Sequence, residues 1–564
     1  MFVIKKYLLL VFVLFLSYWA IKPFFIPGFF PIHDDAQVAR VFEMKKALLD
    51  GMFPVRWVPD LGYNYGYPIF NFYAPLAYYV GGFFNLIGFD ALVATKIMMV
   101  IGILVAGIFM YLLAKEFWGE VGGFVAGLLY LYAPYHAVDI YVRGDVAEFY
   151  AYACIPLVFY ALWKVYKKRE WKYVVIGSIA YGAIILSHNL TAMMVTPFLF
   201  ILTMIFYIKS RTYKKPHKPY FIPLILLIGI LLASFYWLPT LLEMRYTNVI
   251  SQIGGGSDYR DHFVCLNQLW NSPWGFGGSA PGCIDGFSLK IGKLHILFAL
   301  FSLISLPFLR KLNKDKFTFV MFFVVSLFVS VALMLNVSGF IWSSIPLMSF
   351  FQFPWRFLIL SSFFTSFLAG GLFWILQKKL THKFLSVSYS GMIIISLFFI
   401  IYFNSGVFTP QTVLKKNAAD YTSKYALTWV VSRISDEYMP KGFHKPKNAN
   451  EIPNKKIAGD SKIKILSLSE KTQNIQAKVD ASEGTIMRVN IAHFPAWHAT
   501  VDNREAPLKY DSSSLLVQVP RGSHTLNVTY SQTPIEKTGD LLALAGVAIL
   551  IIGIITHREE LFNA

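Results

Sequence analysis

FNFYAPLAYYVGGFFNLIGF, residues 70–89, is apolar enough to cross a bilayer, and whether it does decides the topology of the whole chain. The chain has 564 residues, 56% hydrophobic and only 15% charged, which is too apolar for a soluble globule and marks a polytopic membrane protein. A span needs roughly 20 apolar residues, and about 12 runs qualify, several of them short. They lie near 7–23, 92–114, 121–135, 148–163, 173–187, 190–208, 221–239, 292–309, 317–335, 357–377, 385–403 and 539–556. Lys5 and Lys6 precede the first run as in a signal peptide, but no small-residue cleavage site follows, so it reads as an uncleaved span.

Parity then settles residues 70–89. Basic residues cluster at 164–172, 209–218, 310–316 and 378–383, including Lys164, Lys167, Lys168, Arg169, Lys214, Lys215, Arg310 and Lys378. If 70–89 crossed the bilayer, these clusters would fall outside; if it lies in the interface, all of them face the cytoplasm, as the positive-inside rule requires. Residues 36–90 therefore read as one external loop with amphipathic helices on the membrane, within a longer outer segment, 24–90. The same pattern assigns the net charge of +19 to membrane loops and not to a nucleic-acid groove, so no nucleic-acid partner is expected.

The expected fold is a polytopic α-helical membrane domain over 1–403, an extracytoplasmic domain over 404–538, and a last span with its tail over 539–564. Both termini face the cytoplasm of a cell-membrane protein. Within 404–538 a polar, helical stretch is followed by period-two alternation: Met487, Val489 and Ile491; Leu515, Val517 and Val519; Leu526, Val528 and Tyr530. With turn signals at 501–504 and 520–523, this predicts antiparallel strands packed as a small β-sandwich.

Polar chemistry gathers on the outer side. PIHDDAQVAR (31–40) sets Asp34 and Asp35 beside His33 at a membrane edge; either carboxylate could cap the helix that follows, while the other faces a cavity. Asp139, Arg143, Asp145 and Glu148 form a second group. Asp145 and Glu148 are three apart on one helix face, suited to a cation or to sugar hydroxyls, or else to a local ion pair with Arg143. Arg356, in FQFPWRFL, stands at the mouth of a span, where it either snorkels to headgroups or grips a phosphate with paired hydrogen bonds. Cys265 and Cys283 share one outer loop and either form a disulfide in an oxidising compartment or stay reduced; Cys154 falls inside a span.

An acidic motif after the first span, interfacial helices, many further spans and an external C-terminal domain resemble the GT-C class of membrane glycosyltransferases. More narrowly, HDD, DGMFPVRWVPDLGYNYGYPIFNFYAPLAYY, SHNLTA, DYRDHFVCLNQLWNSPWGFG, FQFPWRFL, DEYMP and FPAWHATVDN resemble the family labelled "6-pyruvoyl-tetrahydropterin synthase-related, membrane domain". That family is similar to bacterial glycosyltransferases that decorate lipoteichoic acid and other surface polymers. The chain shows no soluble pterin-synthase domain and no zinc-histidine set.

The resemblance implies transfer of a sugar from a polyprenyl-phosphate donor to a glycan, lipid or protein hydroxyl at the extracytoplasmic face, with inversion. It points to Asp34 as general base, with Asp35 the alternative. His33, Arg143, Asp145, Glu148, His188, Asn189, Arg356 and Tyr67 are then the substrate-binding candidates. No cofactor is required by it; a divalent cation, Mg or Mn, would sit on Asp34, Asp145 and Glu148. HDD replaces the aspartate-glutamate or aspartate-x-aspartate of other members, which leaves metal dependence open. Trp57, Tyr63, Tyr65 and Tyr67 either stack on sugars or anchor the loop at the interface. The competing readings are a lipid-linked-glycan transporter or flippase, which would carry ionisable groups near the midplane, and a non-catalytic glycan-binding membrane protein.

Overall fold

The computed structural model describes residues 2–211, 218–249, 254, 256–379, 383–457, 459 and 461–558; Lys214, Lys215 and the end of the tail, 559–564, lie outside them. In chain order the main helices are α1 (Phe2–Leu16), α2 (Gln37–Leu49), α3 (Leu76–Leu86), α4 (Ala91–Leu131), α5 (Val146–Lys168), α6 (Trp171–Ser187), α7 (Asn189–Arg211), α8 (Phe221–Leu232) and α9 (Ser234–Glu243). They continue as α10 (Lys293–Ser302), α11 (Lys314–Met334), α12 (Leu358–Lys379), α13 (Lys383–Asn404) and α14 (Pro534–Thr556). Among the described residues eight helices are long and apolar enough to cross a membrane, or nine if the bent pair α8–α9 is one span.

The other expected spans are shorter apolar helices, Trp171–Ser187 and Ile393–Val407, and a reversal inside α4. Gly119 causes that reversal. At φ 73° and ψ −176° it leaves the helix, and the chain doubles back so closely that a Cβ on Gly127 would lie 2.9 Å from the Gly107 carbonyl.

The stretch at 70–89 does not span. Its helix α3 has 11 residues, about 16 Å of rise against a hydrocarbon core of about 30 Å. Ala77, Tyr78, Gly81 and Gly82 bury one face, with the two glycines against Val41 and Met44 of α2, while Phe83, Leu86 and Phe89 stay exposed.

The C-terminal region is a pair of antiparallel sheets. Its strands are β1 (Ile463–Lys471), β2 (Asn474–Ala481), β3 (Thr485–Val489), β4 (Trp497–Val501), β5 (Arg504–Ala506), β6 (Leu508–Tyr510), β7 (Leu515–Val519) and β8 (Gly522–Tyr530). One sheet runs β1-β2-β8-β4-β5 and the other β3-β7-β6. The alternating residues Met487, Val489, Leu515, Val517, Val519, Leu526, Val528 and Tyr530 are all buried; Ile491 is buried too, but beyond the end of β3. Asp502 and Asn503, with φ of 50° and 63°, make the tight β4–β5 turn that two-residue hairpins favour.

Residues 56–67 form the floor on which this domain sits. Trp57 packs edge-on against Trp497 at 5.4 Å, and the Ala492 amide donates to the Tyr65 carbonyl at 2.9 Å. Trp57, Tyr63, Tyr65 and Tyr67 are buried in this seam, where they pack. Arg56 crosses the same seam, donating to Asn71 Oδ1 (2.8 Å), the Phe235 carbonyl (3.0 Å) and Asp540 Oδ1 at the start of α14 (2.6 Å).

Candidate active site

The PIHDD segment is fixed before any side chain acts. The His33 and Asp34 amides donate to the Val142 and Arg143 carbonyls, each at 3.0 Å. This approach requires Gly144: its φ is 64°, and a Cβ there would lie 2.4 Å from Ile32 Cδ1. The acidic motif after the first span and the one before α5 are therefore one structure.

Asp34 does not cap α2. The residue at the helix start is Ala36, without a side-chain cap, and Asp34 Oδ2 instead accepts from Gln37 Nε2 (2.8 Å) and Arg40 Nη1 (3.0 Å), with the Tyr73 hydroxyl at 3.4 Å. Its side chain remains 26% exposed, and among the described residues none bonds Oδ1. Gln37 also donates to the Gly144 carbonyl at 2.8 Å, tying Asp34 to the neighbouring motif. Arg40 lies over Tyr73 at 4.3 Å and donates to Tyr78 (3.1 Å) and Ser435 (3.0 Å), and Ser435 donates to Glu437 Oε1 at 3.2 Å. Asp35 faces elsewhere, 3.7 Å from Lys416 Nζ; burial pushes its carboxyl up to about 6 although Lys416 pulls the other way.

Arg143 is the hub of the second group. It donates to Asp139, to Asp145 Oδ2 (2.6 Å), to Glu148 Oε2 (2.8 Å) and to the Tyr135 hydroxyl, and stacks over Trp355 at 4.9 Å. The ion pair is thus present, whereas Asp145 precedes α5 and shares no helix face with Glu148. Asp145 Oδ1 also caps α5 by accepting from the Glu148 amide at 3.0 Å. Burial works against ionising Asp145, and the opposing charges, Arg143 first among the residues that lower it, still hold it down to about 2. His188, between α6 and α7, is pushed below the usual imidazole range, chiefly by burial. Its Nδ1 is turned to Thr191 Oγ1 at 2.8 Å.

Arg356 completes the group. It is 7% exposed, and Nε lies 3.7 Å from Glu148 Oε2, so this guanidinium does not snorkel outward. Its Nε and Nη1 are buried without a hydrogen-bond partner. Asp145, Glu148 and His188 offer two carboxylate oxygens and an imidazole nitrogen within 4.8 Å of one another, a donor set that fits a divalent cation. Asp34 is not one of the three.

Other candidates lie apart from this group. His33 Nε2 is 3.0 Å from the Phe276 carbonyl in the long outer loop. Asn189 opens α7 near the Tyr236 hydroxyl. Tyr67 is fully buried, its hydroxyl accepting from the Tyr438 amide at 3.2 Å, so its ring is closed to substrate. Cys265 and Cys283 are joined as a disulfide, and Cys154 is free.

Sequence reasoning missed Gln37, Arg40 and Ser435. The first two stand directly after the acidic pair, but Asp34 precedes the helix, so helix spacing does not link them to it.

Comparison with known proteins now bears on this geometry. Residues 70–252 match the sequence model of a family described as "6-pyruvoyl-tetrahydropterin synthase related domain; membrane protein". The matched residues take in helices α3 to α9, with Arg143, Asp145, Glu148 and His188, and leave Asp34 and Arg356 outside. An uncharacterised protein of Lactococcus lactis is 23% identical over 242 residues, 41% of this chain and 39% of its own length. Two structures of Archaeoglobus fulgidus oligosaccharyltransferase are similar at 13% identity. One, tethered to an acceptor peptide, has a TM-score of 0.48 and covers 79% of this chain and 61% of its own. The other, the enzyme AglB with an inhibitory peptide and a dolichol-phosphate, has a TM-score of 0.44 over 79% and 62%. The chain therefore spans less than two thirds of the length of each of these proteins.

Proposed function

We propose that this chain is a membrane glycosyltransferase moving a sugar from a polyprenyl-phosphate donor to an acceptor hydroxyl on a surface glycan, lipid or protein, at the extracytoplasmic face of the cell membrane and with inversion. One observation carries the reading: Asp34, with a free carboxylate oxygen, is pinned main chain to main chain against Arg143, whose partner Glu148 adjoins the unfilled guanidinium of Arg356.

In this reading Asp34 Oδ1 takes the acceptor's proton as the acceptor oxygen bonds to the anomeric carbon. The bond from that carbon to the donor phosphate breaks, and its electron pair leaves with the polyprenyl phosphate. Gln37 and Arg40 aim the carboxylate through its other oxygen, so they are positioning residues. Arg356, through Nε and Nη1, receives the charge that grows on the phosphate. Arg143 keeps Asp145 and Glu148 in place. A divalent cation, if used, would be held by Asp145, Glu148 and His188 and would supply further positive charge to the leaving phosphate.

The test is mass spectrometry of lipid-linked sugars and surface glycans in cells lacking the protein. The proposal expects one polyprenyl-linked sugar to accumulate while one surface substituent disappears, both restored by the wild-type chain. An unchanged glycan profile with no accumulated lipid-linked sugar would overturn it.

A further inference from the structure

In the long outer loop three polar side chains turn inward and three large apolar ones face out. Asp285 Oδ1 accepts from Gln268 Nε2 (2.9 Å) and Ser272 Oγ (2.6 Å), and Gln268 Oε1 accepts from the Cys265 amide (2.8 Å). Leu266 is 69% exposed, Ile284 65% and Trp270 41%. Leu266 and Trp270 lie four apart on one face of a short helix, Leu266–Trp270. The Cys265–Cys283 disulfide, with its Cα atoms 5.6 Å apart, brings the arm that carries Ile284 to the arm that carries Leu266. A single exposed leucine is ordinary, but a rigid group of large apolar side chains marks an interaction surface.

The attachments of the loop identify what covers this group. The Ile291 amide donates to the Leu269 carbonyl at 3.0 Å, two residues before the span Lys293–Leu312 begins. The Val264 amide donates to the carbonyl of Met334, the last residue of the span α11, at 2.8 Å. The group therefore rests on the ends of two spans, the ends opposite the basic cluster 310–316 that joins them. Lys293 Nζ lies 5.8 Å from the centre of the Trp270 ring, which pairs an indole with a lysine at the mouth of a span. That is the side-chain chemistry of the headgroup layer, where indole rings settle and lysine stems reach out to water. Val337 and Phe340, just past the end of α11, are exposed as well. Along the same two spans Leu300 and Phe328 are also exposed, so the group continues an apolar surface that a bilayer covers.

We propose that Leu266, Trp270, Ile284, Val337 and Phe340 seat the disulfide-bonded loop in the interfacial layer of the bilayer, with the apolar side chains among the first acyl carbons and Lys293 among the headgroups. The partner is the lipid surface itself. Interfacial segments bury their apolar face about 5–10 Å into the boundary between headgroups and acyl chains. A loop already closed by a disulfide loses little further conformational freedom when it inserts. Phe276, between the two arms, brings its carbonyl to 3.0 Å from His33 Nε2, so the lipid holds one wall of the candidate active site in place. The anchoring itself does not depend on the transferase reading.

The chain holds 13 tryptophans, so the emission of Trp270 is read as the difference between the full chain and W270F in nanodiscs. The nanodiscs contain phosphatidylcholine with or without bromine on the upper acyl carbons, and aqueous acrylamide is the opposing quencher. Quenching by the brominated lipid with little by acrylamide is the expected result. Quenching by acrylamide alone would place Trp270 in water, and quenching by neither would place it against protein, a second copy included; either overturns the proposal. L266S/I284S, read against L266S/I284S/W270F, should lower the quenching by brominated lipid by about half. The unfolding temperature in detergent should stay unchanged, because the replaced side chains are exposed. Undiminished quenching in that variant would also overturn the anchor. D34N should be quenched as the wild type is, so a failed transferase and a failed anchor give different results.

Discussion

Two buried arginines of this chain have opposite circumstances. Arg56, 2% exposed in the seam, spends its guanidinium on Asn71, Phe235 and Asp540 and leaves only Nε without a hydrogen bond. Arg356, 7% exposed, has guanidinium Nε and Nη1 without a hydrogen-bond partner and approaches Glu148 at 3.7 Å. A buried charge is costly unless paired. Arg56 is satisfied by its own chain and clamps the outer loop to the last span. Arg356 keeps only the longer approach to Glu148 and the face of Phe353, which leaves Nε and Nη1 for the donor phosphate in the proposed reaction.

The comparison predicts unequal costs. Arg56→Met removes the cation beside buried Glu536 and Asp540 and should lose about 3–5 kcal/mol, read as a large fall in thermal unfolding temperature in detergent, whereas Arg356→Met should be neutral or stabilising. Equal destabilisation of the two would break the contrast.

Next in size is the disulfide. Cys265 and Cys283 are 18 residues apart, a closure worth about 3 kcal/mol to that loop. Because the loop touches His33 through Phe276, Cys265→Ser with Cys283→Ser should loosen the site side and spare the seam, a difference that hydrogen exchange can locate.

Arg356→Gln should weaken donor binding roughly 10- to 100-fold, the worth of a charged hydrogen bond, measured by titration with a polyprenyl-phosphate sugar, while Arg56→Lys should leave that affinity unchanged.

The smallest effect concerns Asp35. Its carboxyl rises to about 6 from an ordinary 3.8, so the folded state holds the proton more tightly; that contribution is full below the unfolded value and lost as pH rises through 6. Asp35→Asn should therefore stabilise by about 1 kcal/mol at pH 7, after allowing for partial exposure, and the gain should vanish below pH 4, as paired unfolding curves would show.

Much of this was legible beforehand, for physical reasons. Apolar runs of span length announced the membrane helices, and the helix inside 70–89, with 11 residues, is too short to be one of them. Period-two burial announced the strands. What the sequence hid was long-range: Arg40 meets Ser435 across 395 positions, and Trp57 meets Trp497 across the seam. Aromatic content alone does not tell a sugar platform from a packed interface, and for Tyr67 full burial decided it. Asp34 was legible as a residue of interest, but the arginine and glutamine that aim it were not.

The central claim is that the free oxygen of Asp34 accepts the proton in sugar transfer. The direct measurement is single-turnover transfer by purified Asp34→Asn protein saturated with a polyprenyl-phosphate sugar: donor binding should persist and the rate should fall by about 10²- to 10⁴-fold. Transfer at the wild-type rate would contradict the account.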